Sequence, residues 1–195
     1  MSYVPEVPED RKAHKNYHDM IINGLCAPLA KSDHIIWKEN NRHISVVNHL
    51  SPTIQKKRAE KIGLLAHHDT AYDFAPYSSY ESLDDRNVHL FLGYTNGRGI
   101  AFLLIEKRST IWSCTWEEYQ NHVVQELPEH PPMWSVGLVW VNRGHRRQGW
   151  AVQLALEATR FLCITSEQIG WYTPFTDEGQ ALVKSLCPKY FYIAK

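Results

Sequence analysis

The chain has 195 residues, 44% of them apolar, which suits one domain of ordinary size with a sizeable buried core. Lys plus Arg and Asp plus Glu each number 21, so the chain lacks the overall basic field of a nonspecific nucleic-acid binder. No run approaches the ~20 apolar residues of a membrane helix, and the opening MSYVPEVPEDRKAHKNYHDM has no apolar signal region, which predicts no membrane association and a soluble, cytoplasmic protein.

Residues 1–31 begin rich in proline and charge, turn weakly helical over 18–25, and read as an N-terminal extension with a short docking helix. Residues 32–195 read as one domain. After Asp33, the segments HIIWK, ENN and RHISVV predict a β-hairpin. Ser51 and Pro52 make an N-cap and first-turn pair, and Ile54, Arg58, Ile62, Leu65 and Ala66 recur at helical spacing, which predicts a helix ending near His68. His67, His68 and Asp69 are the densest spot for metal ligands, but adjacent helical residues diverge by about 100° and cannot close on one ion. They are read as a solvated helix end. Cys26, Cys114, Cys163 and Cys187 contain no C-x-x-C pair and are read as reduced structural thiols, so no metal is expected.

A loop of small and aromatic residues, 72–80, leads to two apolar runs, 88–93 and 100–105, around Thr95-Asn96-Gly97-Arg98, a strong hairpin signal. Residues 109–132 carry Trp112, Trp116, Tyr119 and several acids, and read as an excursion from the sheet with a short helix around 116–125. A strand over 134–141, a helix over about 147–165 and a strand over 168–173 follow as a crossover. Val152, Ala155, Leu156, Thr159 and Leu162 are the expected buried stripe of that helix. Thr176 caps a helix to about 186, with Asp177 and Glu178 in the first turn where the dipole favours them, and 189–194 form a closing strand. The order predicts an α/β (α+β) fold: a mixed, mostly antiparallel sheet with flanking helices, not a parallel dinucleotide-binding sheet.

The informative segment is VGLVWVNRGHRRQGWAVQLALEATRF, over 136–161: a strand, a basic loop with Gly149, then a helix. Unpaired N–H groups and the positive end of a helix dipole converge at such a helix start and suit a diphosphate. Arg146-Arg147-Gln148-Gly149-Trp150-Ala151 fits the Arg/Gln-x-x-Gly-x-Gly/Ala pattern and so resembles the Gcn5-related N-acetyltransferase superfamily, in which this loop holds the pyrophosphate of acetyl-CoA. Gly149 permits close approach, Ala151 keeps the next turn slim and the arginines add screening charge. The resemblance further implies that main-chain groups of Val139, Trp140 and Val141 pair with the pantetheine arm. Two other readings are a basic, solvated helix start and a cradle for ATP or NAD; the Asn96-Gly97 hairpin argues against the parallel sheet of the second.

From about residue 35 onward the chain also resembles the acetyltransferase domain of the Eco1/ESCO cohesin acetyltransferases. The matching residues are Trp140-Val141, Arg146-Arg147, Ala151, the stretch PFTDEG over 174–179, Leu103-Leu104-Ile105-Glu106 and a final aromatic strand. Three positions depart. The family's zinc finger has no counterpart, only Cys26 lying ahead of the domain; Gly137 stands where the family carries a serine; Thr173 stands where it carries an acid. Fold and cofactor therefore transfer, while the cohesin substrate and its catalytic pair do not.

The resemblance implies direct transfer from acetyl-CoA to an amine in a ternary complex, which needs cofactor grip, an uncharged amine and an oxyanion donor. Backbone N–H groups near Leu138 or Val139 are candidate donors. Glu106 is the first candidate base, its other reading being a charged strand exit, and Asp177 the second. Tyr172 and Thr173 are candidate donors to the leaving thiolate, a role that can also fall to Tyr190 or Tyr192. The acceptor is expected to be a protein lysine or a small cationic amine, flanked by 72–80 and 109–132, whose aromatic and acidic residues suit a cation. The alternative is a catalytically silent CoA-binding or protein-interaction module on the same fold.

Overall fold

A computed structural model describes residues 8–70 and 86–194. The expected 72–80 loop lies outside the described residues. The sheet begins with a hairpin of β2 (His34–Glu39) and β3 (Arg42–Val47), preceded by a two-residue strand β1 (Leu25–Cys26) that pairs with the start of β5. β4 (Val88–Thr95) and β5 (Arg98–Arg108) form the Asn-Gly hairpin, and β8 (Met133–Val141) lies antiparallel to β5. β9 (Gly170–Tyr172) and β10 (Tyr190–Ala194) continue the sheet in parallel with β8. β6 (Ile111–Thr115) and β7 (Gln125–Glu126) complete the order β2-β3-β4-β5-β8-β9-β10-β6-β7.

Both faces of this sheet are covered, and the strands show it residue by residue. Ile44, Val46, Phe91, Leu103 and Ile105 point to a core shared with α4 (Trp150–Phe161) and α5 (Asp177–Leu186), through Leu154, Ala155, Ala158, Leu182 and Val183. Leu90, Leu92, Phe102 and Leu104 point the other way, to Ala59, Ile62, Leu65 and Ala66 of α2 (Thr53–Thr70) and to Met20 and Ile21 of α1 (Pro8–Asn23). Alternate residues serving opposite cores are what the two-residue period of a strand requires of a sheet covered on both sides.

Three expectations need revision. Part of the 109–132 stretch is not an excursion: β6 pairs with β10 along its whole length, and the helix that follows, α3 (Trp116–Gln120), is one short turn closed by the reciprocal caps of Thr115 and Glu118. The buried stripe of α4 is centred on Trp150, Leu154, Ala155 and Ala158, not on Val152 and Leu156. The cause lies on β4, where Gly93 leaves room for the Trp150 ring: a Cβ there would sit 3.1 Å from it. Finally, the helix near the N-terminus spans 8–23, not 18–25, and is tied down by Arg98 on Asp19 (2.8 Å).

Candidate functional site

β8 and β9 pair only at Ser135 with Gly170 and Val136 with Trp171, then part. Just past that point β8 bulges: Val136 faces Ile105 and Leu138 faces Leu104, so Gly137 is an extra residue in the ladder. Beyond the bulge the antiparallel alternation resumes. Asn142 donates its N–H to the Ile100 carbonyl at 2.8 Å, which turns Asn142, Trp140 and Leu138 toward β5 and turns the main-chain groups of Val139 and Val141 toward the side β9 has left. The Val141 carbonyl on that side accepts from Arg146 Nε at 3.0 Å.

The loop leaving β8 is fixed at its stem. Asn142 is buried; its Nδ2 donates to the Ile21 carbonyl of α1 at 2.8 Å and its Oδ1 accepts from the Gly144 N–H at 3.1 Å. Arg147 (φ 60°) and Gly149 (φ 81°) then take left-handed conformations, and α4 begins at Trp150. Gly149 is required for its conformation and not for space, since a Cβ there would meet nothing within 4 Å. It makes no side-chain cap, so the first N–H groups of α4, from Trp150 to Val152, lack intrahelical partners and open outward. Arg146, Arg147, Gln148 and Gly149 are exposed and Ala151 half-buried. The Trp150 indole is buried, with the Arg42 guanidinium 4.1 Å from the ring centroid and Trp37 edge-on at 6.3 Å, so only its main chain faces the loop. Arg42 also reaches the Gln148 carbonyl at 3.5 Å.

One residue of this region was missed in the sequence reading. Asp69, near the end of α2, has a buried carboxylate that accepts from Trp140 Nε1 at 2.9 Å, from Arg146 Nη2 at 2.6 Å and from Arg143 Nε. Of the solvated helix end expected from His67, His68 and Asp69, His68 is exposed, whereas Asp69 is a contact with the loop. No local pattern signals it, because its partners lie more than 70 residues away.

At the other end of the bulge, Glu106 and Tyr172 meet. The Tyr172 hydroxyl donates to Glu106 Oε1 at 2.7 Å, Arg108 Nη2 donates to the same oxygen at 2.8 Å, and the Arg108 guanidinium lies 5.3 Å from the Tyr172 ring centroid. Both bonds fall on Oε1; Oε2 has no partner among the described residues. A Cβ on Gly137 would be 3.4 Å from Glu106 Oε1, so the carboxylate lies against the bulge. Burial, then the hydrogen bond to Glu106 and its charge, push the Tyr172 phenol well above its ordinary pKa, so it is protonated. Thr173 follows β9, half-buried, and no hydrogen bond among the described residues joins it to this pair. Asp177 opens α5 behind the Thr176 cap, and Tyr190 is exposed. Tyr192 packs beside Tyr172 in a small cluster with Ile111, Met133 and Leu127, and its ring centroid lies 6.3 Å from that of His130. Of residues 109–132, Ile111 and Leu127 reach this end, with the exposed Glu126 and Glu129 on either side of Leu127, whereas Glu117 and Glu118 lie at the opposite end of β6 beside Thr115.

No family model and no curated protein matches the chain. Solved structures do. The Eco2 acetyltransferase domain bound to a CoA conjugate superposes with a TM-score of 0.67 at 16% identity, covering 85% of this chain and 98% of that one. An aminoglycoside acetyltransferase from an uncultured soil metagenomic sample, in complex with trehalose, gives 0.52 at 14% identity, covering 77% and 90%. The ribosomal-protein-alanine N-acetyltransferase of Brucella melitensis biovar Abortus gives 0.50 at 11% identity, covering 75% and 91%. At these identities the likeness is one of fold. With its mixed sheet, its bulged β8 and the parting of β8 from β9, the chain has the Gcn5-related N-acetyltransferase fold and resembles the Eco2 acetyltransferase domain in it.

Proposed function

We propose that this protein is an N-acetyltransferase that moves an acetyl group from acetyl-CoA directly to a primary amine, on a protein lysine or a small cationic molecule. The observation that carries this reading is a continuous track: an open helix start at Gly149, the main-chain groups of Val139 and the N–H of Val141 on the side β9 has left, and the hydrogen-bonded Glu106–Tyr172 pair beside the Gly137 bulge. The pyrophosphate would rest on the N–H groups of Trp150, Ala151 and Val152, with the exposed Arg146, Arg147 and Gln148 around it. The pantetheine amides would pair with the main chain of Val139 and the N–H of Val141, whose carbonyl is held by Arg146, while the main chain of Trp140 faces β5. Val139 is the better oxyanion donor of the two candidates, because Leu138 faces β5.

The chemistry then falls to Glu106 and Tyr172. An acceptor ammonium of pKa near ~10.4 gives one proton to Glu106 Oε2, directly or through water. Attack forms the C–N bond and collapse of the tetrahedral intermediate breaks the C–S bond. The thiolate takes the phenolic proton of Tyr172, and the proton held on Glu106 Oε2 returns to the phenolate through water, the 2.7 Å bond to Oε1 keeping the two groups together. The second amine proton leaves to water, so an ammonium and a thioester become an amide, a thiol and a released proton. Tyr172 is a weak acid while Glu106 is charged; protonating Glu106 removes two of the three influences that raise it, leaving burial. Asp177 keeps the task of helix-start electrostatics, and no role is needed from Thr173. The exposed Glu126 and Glu129, flanking Leu127 in a stretch without Lys or Arg, support a cationic acceptor. A cytoplasmic location is consistent with this cofactor, and among the described residues no helix is long and apolar enough to cross a membrane.

The silent-module reading has its own support: Arg108 already neutralises Glu106, and Gly137 and Thr173 replace the two family positions. Calorimetric titration with acetyl-CoA against ATP and NAD, followed by an amine screen, separates the two. CoA-specific binding with turnover is expected; binding without acetylation of any amine or lysate protein would favour the silent module, and no CoA binding would end the acetyltransferase reading and leave a protein-interaction module.

A further inference from the structure

We infer that Asp69 is a positioning residue for the CoA diphosphate: it clamps the phosphate loop into its binding shape although its own charge repels the ligand. The inference rests on the acetyl-CoA reading above. A buried carboxylate is costly unless its oxygens are satisfied, and Asp69 is satisfied entirely by the end of β8 and the loop after it. Its side chain is 7% exposed, and Trp140 Nε1, Arg143 Nε and Arg146 Nη2 donate to it. Arg146 is held a second time by its Nε on the Val141 carbonyl. The chain from Val141 to Arg146 is therefore fixed by α2 through Asp69 and by α1 through Asn142 before it reaches the left-handed residues Arg147 and Gly149.

Two opposite effects on ligand binding compete at this carboxylate. Coulomb attraction alone makes Asp69 a rival of the diphosphate for two arginines, so deleting its charge would tighten CoA. Preorganisation makes it an ally, so deleting it would loosen CoA. The geometry favours the second. Each guanidinium offers five N–H donors. Asp69 takes only Nε of Arg143 and Nη2 of Arg146, which leaves both Nη groups of Arg143 and Nη1 of Arg146 without a partner among the described residues, on side chains that are 67% and 44% exposed. A phosphate can bind them while the clamp stays closed.

The test is calorimetric titration of CoA into wild type, Asp69→Asn and Arg143→Lys, with steady-state kinetics and a thermal melt of each. Asp69→Asn removes the charge and keeps the shape; the expected result is CoA binding weakened roughly tenfold or more, a matching rise in the acetyl-CoA KM, and kcat at saturation within about twofold. Arg143→Lys keeps the charge and loses the guanidinium's fork, so it is expected to weaken CoA several-fold. It also serves if Asp69→Asn does not fold, because Arg143 is mostly exposed. Unchanged or tighter CoA binding in a folded Asp69→Asn, or wild-type affinity in Arg143→Lys where Asp69→Asn does not fold, overturns the inference. Failure of the wild type itself to bind CoA would count against the proposed function instead, and is seen before any variant is made.

Discussion

The two ends of the proposed track are built differently. The phosphate loop is made of consecutive residues, 141–152, whose conformation is set by left-handed positions at Arg147 and Gly149 and by the start of α4. The acceptor end is assembled from Glu106 and Arg108 on β5, Gly137 on β8, Tyr172 on β9 and Tyr192 on β10, brought together only by strand order. The first end offers main-chain N–H groups ringed by exposed arginines, the second side chains alone. Substitutions at the loop should therefore act on affinity, and those around Glu106 on turnover.

The largest effect is expected where both charge and backbone are attacked. Arg146→Ala combined with Gly149→Glu should abolish measurable CoA binding, because a carboxylate would stand at the diphosphate and one guanidinium would be gone. Gly149→Ala is the control. It adds only left-handed strain of roughly 1–2 kcal/mol with nothing to clash against, and should cost about tenfold or less in affinity. Unchanged affinity in the double variant would refute the diphosphate assignment.

At the other end, Glu106→Gln is expected to lower kcat by roughly 10²- to 10⁴-fold with acetyl-CoA affinity within about threefold of wild type. Equal rates of wild type and variant at every pH would retire Glu106 as base. Tyr172→Phe should cost less, on the order of tenfold in kcat, since water can protonate the thiolate. Its pH signature has a definite sign. The folded-state phenol titrates above its ordinary value near ~10, so Tyr172 adds stability below that value which is lost as pH rises beyond it. Wild type should thus show a steeper alkaline loss of melting temperature than Tyr172→Phe; parallel curves would break the Glu106–Tyr172 bond assignment.

The same contrast explains what was legible in the sequence. The loop motif, the Asn96-Gly97 hairpin and the helix behind Thr176 depend on neighbours within a few residues, and each appears in the structure close to where periodicity and caps put it. Glu106 and Tyr172 were identified separately as candidates, but nothing local says that a strand end at 106 and another at 172 share one hydrogen bond. β6 resembles an excursion in sequence because its pairing partner, β10, lies some 80 residues on. Asp69 was the hardest of all, since an acid at a helix end looks solvated until its three donors are seen.

The smallest expected effect falls on the junction between the two ends. Gly137 belongs by its main chain to the track of β8 and by its position to the Glu106 carboxylate. A Cβ there would lie 3.2 Å from Leu104 Cδ2, the movable end of a flexible side chain, and 3.4 Å from Glu106 Oε1. The bulge can therefore accept one methyl group with a shift of a few tenths of an ångström. Gly137→Ala should leave CoA affinity unaltered and reduce kcat by less than about tenfold, through a small displacement of the carboxylate. Calorimetry and initial rates on this one variant show where the boundary between grip and chemistry lies. A loss of affinity instead of turnover would extend the cofactor's track past the bulge and make Gly137 part of the pantetheine path.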